Sequence, residues 1–321
     1  MNDLGPLVDT FAKLEPWRGA CAEGSFANYL GVMTDLEFIE RHHPSNTSLI
    51  SEKNGETIRM PIVSDGEPFF EFAAIHKAVH AAHDRFTMVE LVGGYAARSV
   101  DAYRALQVFN PLPCQLVVVE AEPTHFQWAK RHLAANGIEP KNHWLINSAV
   151  SIDSDPIMFM RGAGLFFNGI VGIEDFEKLV TQIIDMGASD QVVRNLISGG
   201  ACGMQIPFHS AAGVYNFDYS FVSAMALNDI LSPLPLVDLM DIDIQGAEDV
   251  VIHPAMEMLN ARVKRLHIGT HGADIHSGIW EFFFANEWIC EFDYAPATTH
   301  QTPWGDFETQ DGILHFHNPR L

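Results

Sequence analysis

Residues 86–106 read FTMVELVGGYAARSVDAYRAL, in which a short apolar run leads into a glycine pair and then into apolar residues at helical spacing. This pattern predicts a strand, a tight turn and a helix. The same order follows in CQLVVVE at 114–120 and PTHFQWAKRHLAANG at 123–137, and HWLINSAVS at 143–151 supplies a third strand. Parallel strands need crossover helices, and those helices cover the sheet. The alternation therefore predicts a doubly wound α/β core.

The alternation of strands and helices returns in the second half of the chain. PLVDLMDID at 235–243 and RLHIGTH at 265–271 are typical of strands, and a helical stretch follows each of them. WICEFDY at 288–294 and GILHFHN at 312–318 close the chain as two strands with a turn-rich gap between them. We expect these last two strands to form an antiparallel hairpin at the edge of a mostly parallel sheet.

Two regions lack this alternation. Residues 1–84 carry turn signals such as HHPSN and EKNGE, and we interpret them as an N-terminal extension. Residues of about 161–215 contain glycine-rich stretches around a helical segment, and we interpret them as an inserted lid. The predicted main domain therefore spans residues 85–321 and carries this insertion.

Composition and charge limit the kinds of binding partner that we expect for this chain. Lys and Arg number 19 against 41 Asp and Glu, a formal net charge of −22 that would repel a phosphate backbone, so we expect no nucleic acid partner. The chain has neither a basic segment leading into an apolar one at its start nor a long uninterrupted apolar stretch, so we expect no membrane partner. The four cysteines form no CxxC pair, which favours reduced thiols and a cytoplasmic location.

Residues at the ends of the first two strands predict a nucleotide-like ligand. Gly93 and Gly94 would let a ligand approach the backbone closely. Glu120 and Glu122 share one face at the end of the second strand, because side chains alternate with period two. Ligands of open α/β sheets bind beyond the carboxyl ends of the strands, so a glycine turn beside an acid suits an adenosine. Ordinary turn glycines and solvated acids are the alternatives.

Acidic and imidazole side chains end the next two strands. Asp241 and Asp243 share one face of 235–243, and buried acids in an apolar strand are costly unless they are paired or functional. We therefore expect both to serve the site, with a helix cap as the alternative for Asp243. His267 and His271 share a face of the following strand, and His271 falls at its tip.

These residues include the types found in metal sites. The spacing of His267, His271 and His276 nevertheless matches no compact ligand motif, even with Asp241 and Asp243 nearby. A single histidine is more often a satisfied polar residue than a ligand, and this chain has 16 of them. We therefore expect no metal ion.

With these residues in view, the chain from about Phe86 to Asn318 resembles the FkbM-type methyltransferases, a branch of the Rossmann-like fold that uses S-adenosylmethionine. Three segments carry the resemblance: VELVGGYAARS at 89–99, VEAEPTHFQWAKRHLAANGI at 119–138 and LMDIDIQGAEDVV at 239–251. The last is similar to the D-x-x-G-A-E signature of that family. The resemblance implies S-adenosylmethionine as cofactor and a seven-stranded sheet whose last strand is antiparallel.

The resemblance also implies roles for single residues. Glu122, in its Glu-Pro setting, would hold the ribose hydroxyls, with Glu120 as the fallback. Asp243 and His271 would face the sulfonium methyl as the catalytic pair, and we place Asp241 with the cofactor-binding residues. The methionine and ribose side would be lined by Glu90, Gly93, Gly94 and Tyr95, and the adenine side by Asn147 and Ser148.

Three residues depart from the family pattern. Val92 and Ala96 stand where the first turn of the family usually has glycines. Gly269 replaces an acid that commonly stands two residues before the histidine matching His271. These departures favour one alternative function, a degenerate methyltransferase fold that binds a partner without turnover.

We expect a methyltransferase that modifies a hydroxyl oxygen on a small molecule or glycan, with Asp243 or His271 as the base that removes the proton. A homo-oligomer is compatible with this interpretation. The alternative from another enzyme class is a nucleotide-dependent oxidoreductase or epimerase, which also uses a strand-tip acid after a glycine turn. Its G-x-G-x-x-G fingerprint is missing from this sequence.

Overall fold

The structure is a computed structural model. It describes residues 17–40, 67–161, 169–170, 173–197, 206–210, 213–302 and 305–321. Ahead of the predicted core it has a short hairpin, a short helix and a longer helix. These elements are β1 (Ser25–Ala27), β2 (Met33–Asp35), α1 (Leu36–Glu40) and α2 (Glu67–Ala81).

The first half of the core has the predicted alternation of strands and helices. Its second helix begins at Pro123, whose fixed φ suits a first helical turn, and the preceding Glu122 caps that helix by accepting a hydrogen bond from the His125 amide. The elements are β3 (Phe86–Leu91), α3 (Ala97–Phe109), β4 (Cys114–Val119), α4 (Pro123–Ala135) and β5 (Trp144–Ile146).

The predicted insertion forms a small structure of its own, although parts of 161–215 lie outside the described residues. Four antiparallel strands, β7 (Ile157–Arg161), β8 (Gly169–Ile170), β9 (Ile206–Ser210) and β10 (Gly213–Val222), make one sheet in the order β8-β7-β10-β9. This sheet extends beyond the predicted boundaries, since its first strand starts at Ile157 and its last ends at Val222. The elements are β6 (Ala149–Ser151), β7 (Ile157–Arg161), β8 (Gly169–Ile170), α5 (Ile173–Asp185), α6 (Asp190–Ile197), β9 (Ile206–Ser210), β10 (Gly213–Val222) and β11 (Ala224–Ala226).

The second half of the core continues the alternation and then closes with antiparallel strands. A small hairpin of β15 (Thr299–Thr302) and β16 (Gly305–Glu308) fills the turn-rich gap between the last two long strands, β14 (Ile289–Tyr294) and β17 (Gly312–His317). The elements are α7 (Leu227–Leu231), β12 (Leu239–Ile242), α8 (Glu248–Ile252), α9 (Met256–Arg262), β13 (Arg265–Thr270), α10 (Ala273–Ala285), β14 (Ile289–Tyr294), β15 (Thr299–Thr302), β16 (Gly305–Glu308) and β17 (Gly312–His317).

The central sheet has seven strands in the order β14-β17-β13-β12-β3-β4-β5. Strands β13, β12, β3, β4 and β5 pair in parallel, whereas β17 runs antiparallel to both of its neighbours, β13 and β14. The predicted mostly parallel sheet with an antiparallel last strand is therefore confirmed. The predicted hairpin at the sheet edge is confirmed as well, because β14 is the edge strand and β17 pairs with it.

Apolar side chains cover both faces of this sheet. On β3, Val89 and Leu91 pack with helices α7 to α10, whereas the alternating Met88 packs with α2, α3 and α4. The sheet is thus wound on both sides, which explains its nearly continuous apolar strands. No helix in the described part of the chain is long and apolar enough to cross a lipid bilayer.

Helix α2, from the predicted extension, is part of the core. Its residues Phe72, Ile75 and Val79 are buried together with Val100 and Leu106 of α3. Burying side chains of this size stabilises a fold by about 1.5–3 kcal/mol each. Because α2 and α3 share this buried cluster, both helices cover the same side of the sheet. Helix α2 lies above the polar residues of β3, β12 and β13.

Candidate functional site

A pocket that is open to solvent lies at the carboxyl ends of β3, β4, β12 and β13. Its empty space, including the part open to solvent, is about 920 Å³. It is lined by seven residues that the sequence predicted: Glu90, Gly93, Gly94, Tyr95, Glu120, Asp241 and Asp243. Its further lining residues include Glu71, Val92, Ala97, Arg98, His125, Gln245, His267, Gly269 and Ile313. Four other predicted residues are not among those that line it: Glu122, Asn147, Ser148 and His271.

The turn after β3 packs tightly on the neighbouring strand. A Cβ atom added to Gly93 would lie 2.7 Å from Cγ1 of Val118, closer than real Cβ atoms come to other heavy atoms. The next residue, Gly94, has a φ of 52° and donates its amide hydrogen to Oε2 of Glu120 at 2.8 Å. The glycine pair is therefore required by packing as well as by the turn.

Val92 and Ala96, which flank the glycine pair and Tyr95, have a glycine-like backbone. Their φ angles are 59° and 61°, in the left-handed region that costs an L-residue about 1–2 kcal/mol. This backbone shape is rarest for a β-branched residue such as Val92. The turn thus has the conformation that glycine would favour, although it contains two other residues.

Glu90 caps the helix that follows the turn. Its carboxylate accepts hydrogen bonds from the amides of Arg98 at 3.1 Å and Ser99 at 2.8 Å. Ala96, at the cap position, has no side chain that could do this. Burial raises the pKa of Glu90, and the two amide hydrogen bonds oppose that rise.

Glu120 and Glu122 have separate roles. Glu120 lines the pocket and accepts hydrogen bonds from the amides of Gly94 and, at 2.7 Å, Glu122. Burial nevertheless raises the pKa of Glu120 to about 8. The carboxylate of Glu122 instead accepts from the His125 amide at 2.8 Å and caps α4. Of the two acids, Glu120 is the one that lines the pocket, although its side chain is almost fully buried.

Asn147 and Ser148 use their side chains to hold loops. The amide group of Asn147 donates to the backbone oxygens of Glu120 at 2.8 Å and Ala121 at 3.1 Å. The hydroxyl of Ser148 donates to the backbone oxygen of Ser223 at 2.9 Å. Both residues thereby fix the backbone beside the pocket.

Arg98 and Glu71 belong to the pocket but were missed from the sequence. The Arg98 guanidinium forms an ion pair with Glu71 of helix α2. Although burial opposes its charge, Glu71 and Asp241 raise the pKa of Arg98. Burial raises the pKa of Asp241 well above its ordinary value, and Arg98 partly offsets this. The position of Arg98, directly after the glycine turn, was a usable signal, whereas nothing in the sequence around Glu71 pointed to the site.

The structure brings Asp243 and His271 together, the pair that the resemblance implied. Nε2 of His271 lies 3.4 Å from Oδ1 of Asp243 and 3.9 Å from Oδ2 of Asp311. Nδ1 of His271 lies 2.9 Å from Oε1 of Glu248, a residue that is fully buried. Although burial favours the neutral ring, Glu248, Asp243 and Asp311 together raise the pKa of His271 to about 9.

The other two histidines considered for a metal lie elsewhere. His267 lines the pocket, is 4% exposed, and burial holds its pKa well below the ordinary value. His276 contacts Thr270 at 2.8 Å and Asp293 at 3.0 Å. Among the described residues, the group with the side chains and spacing to hold a metal consists of Asp243, Glu248 and His271, with ligand atoms within 4.8 Å of one another.

The chain is similar in sequence to a described protein. The chain is 24% identical over 310 residues to a protein of Jannaschia sp. (strain CCS1) described as "Putative methyltransferase". The match covers 94% of this chain and 96% of that protein. The chain is thus similar to a methyltransferase over nearly its whole length. No protein-family model matches it.

Solved structures that the chain matches include two further methyltransferases. Methyltransferase FkbM from Methylobacillus flagellatus KT has a TM-score of 0.42 and 9% identity, over 88% of this chain and 70% of that chain. Precorrin-6y C5,15-methyltransferase from Geobacter metallireducens GS-15 has a TM-score of 0.39 and 11% identity, over 77% of this chain and 86% of that chain. The strand order and register described above, rather than these scores, define the fold.

Proposed function

We propose that this chain is an FkbM-type methyltransferase that transfers the methyl group of S-adenosylmethionine to a hydroxyl oxygen of a small molecule or glycan. The observation that carries the proposal is the pocket at the strand ends, where the glycine turn after β3 meets Glu120 of the next strand. The similarity to a described methyltransferase over 94% of this chain supports the reaction class.

The charges of the pocket suit this cofactor. Among the described residues that line the pocket, one is an arginine and five carry carboxyl groups: Glu71, Glu90, Glu120, Asp241 and Asp243. S-adenosylmethionine carries a sulfonium and an ammonium, so an acidic lining offsets its positive charge, and when bound it supplies an electrophilic methyl group. Glu120 would accept the ribose hydroxyls, and the turn at Gly93 and Gly94 would lie against the methionine side.

Asp243 would serve as the base for the acceptor. Its side chain is 52% exposed and lines the pocket, whereas His271 lies behind it. The hydroxyl proton would pass to the Asp243 carboxylate while the oxygen takes the methyl group and the carbon–sulfur electron pair stays on sulfur. His271 would orient Asp243 through the 3.4 Å contact with Oδ1. The protein's main contribution is to hold these groups aligned and away from water.

Calorimetric titration with S-adenosylmethionine, S-adenosylhomocysteine and NAD tests the cofactor. We expect both adenosyl ligands to bind and Glu120→Ala to weaken them by roughly tenfold or more, as the loss of charge-assisted hydrogen bonds implies. Glu122→Ala is the matched control, and it should change affinity much less because Glu122 caps a helix. Binding of NAD alone would favour the oxidoreductase, and binding of none of the three would favour the degenerate scaffold.

A further inference from the structure

We propose that Asp243, His271 and Asp311 bind one divalent cation at the edge of the pocket, with Glu248 as the residue that orients His271. The three ligands come from different parts of the sheet. Asp243 follows β12, His271 follows β13, and Asp311 precedes β17. Because β17 is antiparallel to β13, its start lies at the same edge as the ends of β12 and β13.

Two of the three proposed ligands are already in position, and the third has to move toward the ion. Atoms that bind an ion at about 2.1 Å lie roughly 3.0–3.5 Å from one another. Nε2 of His271 is 3.4 Å from Oδ1 of Asp243, which fits without movement. Oδ2 of Asp311 is 3.9 Å from Nε2 of His271 and lies outside the group whose ligand atoms are within 4.8 Å of one another. Asp311 would therefore have to move toward the ion, and its 42% exposed side chain leaves room for that movement.

His271 is oriented as a metal-binding histidine would be. Such residues commonly donate their second ring N–H to a carboxylate, which fixes the ring and leaves the other nitrogen for the ion. Here Nδ1 donates to Oε1 of Glu248 at 2.9 Å. Oε1 also accepts the amide hydrogens of Ile244 at 3.2 Å and Gly246 at 3.0 Å, so the turn that carries Asp243 fixes Glu248 in turn.

The charge of the cluster also favours a cation. Glu248 is fully buried, and its second oxygen, Oε2, has no hydrogen-bond partner among the described residues. Three carboxylates surround one imidazole, and no described lysine or arginine forms an ion pair with any of the three. Carboxylate oxygens with one imidazole nitrogen are ligands suited to Mg²⁺, Mn²⁺ or Zn²⁺.

The role of this ion rests on the proposed function, whereas its binding does not. Asp243 lines the pocket, so an ion on its Oδ1 would meet the acceptor hydroxyl. A divalent ion lowers the pKa of a bound hydroxyl and makes its oxygen a better nucleophile. The uncoordinated Oδ2 of Asp243 would receive the proton. The acceptor would then be a compound that offers the ion one or two oxygen atoms, as vicinal diols of sugars and catechols do.

Electron paramagnetic resonance of Mn²⁺ tests the site, since the signal of free Mn²⁺ falls as the ion binds. The protein is first treated with a chelator and then titrated with Mn²⁺ alone. We expect one bound ion per chain, and an affinity at least tenfold lower in Asp311→Asn and in His271→Gln. Asp274→Asn is the matched control, because Asp274 is exposed on α10 and lies outside the cluster.

Circular dichroism of each variant shows whether it is folded, and Asp311→Asn leaves the core untouched. No binding of Mn²⁺ at millimolar concentration, or equal affinity in wild type and in both cluster variants, would overturn the proposal. The cofactor titration is independent of this experiment. If S-adenosylmethionine binds and Mn²⁺ does not, only the metal site fails; if Mn²⁺ binds and neither adenosyl ligand does, only the proposed function fails.

Discussion

Oε2 of Glu120 accepts the amide hydrogen of Gly94 at 2.8 Å, which joins the end of β4 to the turn after β3. One buried carboxylate therefore holds the shape of the turn and also faces the pocket. The two roles are linked, because a change in the charge of Glu120 alters both the hydrogen bond to Gly94 and the attraction for a positively charged ligand.

The affinity for S-adenosylmethionine should rise with pH because of Glu120. Its pKa is raised to about 8, so the carboxylate form, which accepts hydroxyl hydrogens and attracts a cation, gains population as the pH increases toward that value. We expect affinity to increase several-fold between about pH 6.5 and 8.5, with at most tenfold per pH unit. Calorimetry at several pH values measures this. The pH dependence should flatten in Glu120→Gln, and an unchanged slope in that variant would assign the effect to another group.

The left-handed backbone at Val92 predicts an unusual response to glycine. Val92→Gly relieves about 1–2 kcal/mol of backbone strain, which offsets the loss of a partly buried side chain and the added freedom of the unfolded chain. We expect the free energy of unfolding to change by less than about 1 kcal/mol. The same substitution at Val89, which is fully buried in β3, should cost about 3 kcal/mol. Urea denaturation compares the two, and equal losses would show that no strain is stored at Val92.

Asp243→Asn should separate binding from turnover. The amide keeps the shape of the side chain but cannot take the acceptor proton, so we expect methyl transfer to fall by roughly 100-fold or more. The dissociation constant of S-adenosylmethionine should change by less than about threefold, because other residues line the cofactor side. Release of S-adenosylhomocysteine with a panel of hydroxylated small molecules and glycans measures turnover. Near-normal turnover in both Asp243→Asn and His271→Ala would rule out a base at this pair.

The free energy of unfolding at acidic pH should depend on His76. This buried histidine contacts the Tyr29 hydroxyl at 2.8 Å, and burial lowers its pKa to about 4. In the unfolded state His76 takes up a proton near pH 6.5, whereas in the folded state it does so only near pH 4. Between these values the unfolded state binds more protons, so the contribution of His76 to stability falls as the pH falls, by about 1.4 kcal/mol per pH unit.

His76→Gln removes this titration and can still bond Tyr29. We therefore expect its free energy of unfolding to fall less steeply than that of wild type from about pH 6.5 to pH 4. Burial raises the pKa of Asp101 to about 7, so Asp101 makes the folded state more stable as the pH falls, opposite to His76. Asp101 is present in both proteins, so the difference between their stability curves reports on His76. Parallel stability curves, measured by urea denaturation, would contradict the prediction.

The fold followed from patterns within single strands and helices. Apolar runs alternating with helical spacing predicted the doubly wound sheet, and the last two runs predicted the antiparallel edge. Period-two alternation placed Asp243 and His271 each at the tip of a strand, and the resemblance to FkbM-type methyltransferases paired them. The structure shows the two side chains in contact.

The sequence alone did not decide which of the two acids after β4 lines the pocket. The Glu-Pro pattern favoured Glu122, but its carboxylate caps α4, and Glu120 has the position that lines the pocket.

Glu71, Arg98 and Glu248 also depended on tertiary structure. Glu71 lies on α2, a helix with apolar residues on several sides and therefore without a clear period to mark it. Glu71 pairs with Arg98, and Glu248 pairs with His271. In each pair the two residues are distant along the chain. Periodicity determines which face a residue occupies within its own element. The contact between two elements depends on how they pack, and here only the packing of α2 and α8 against the sheet decided it.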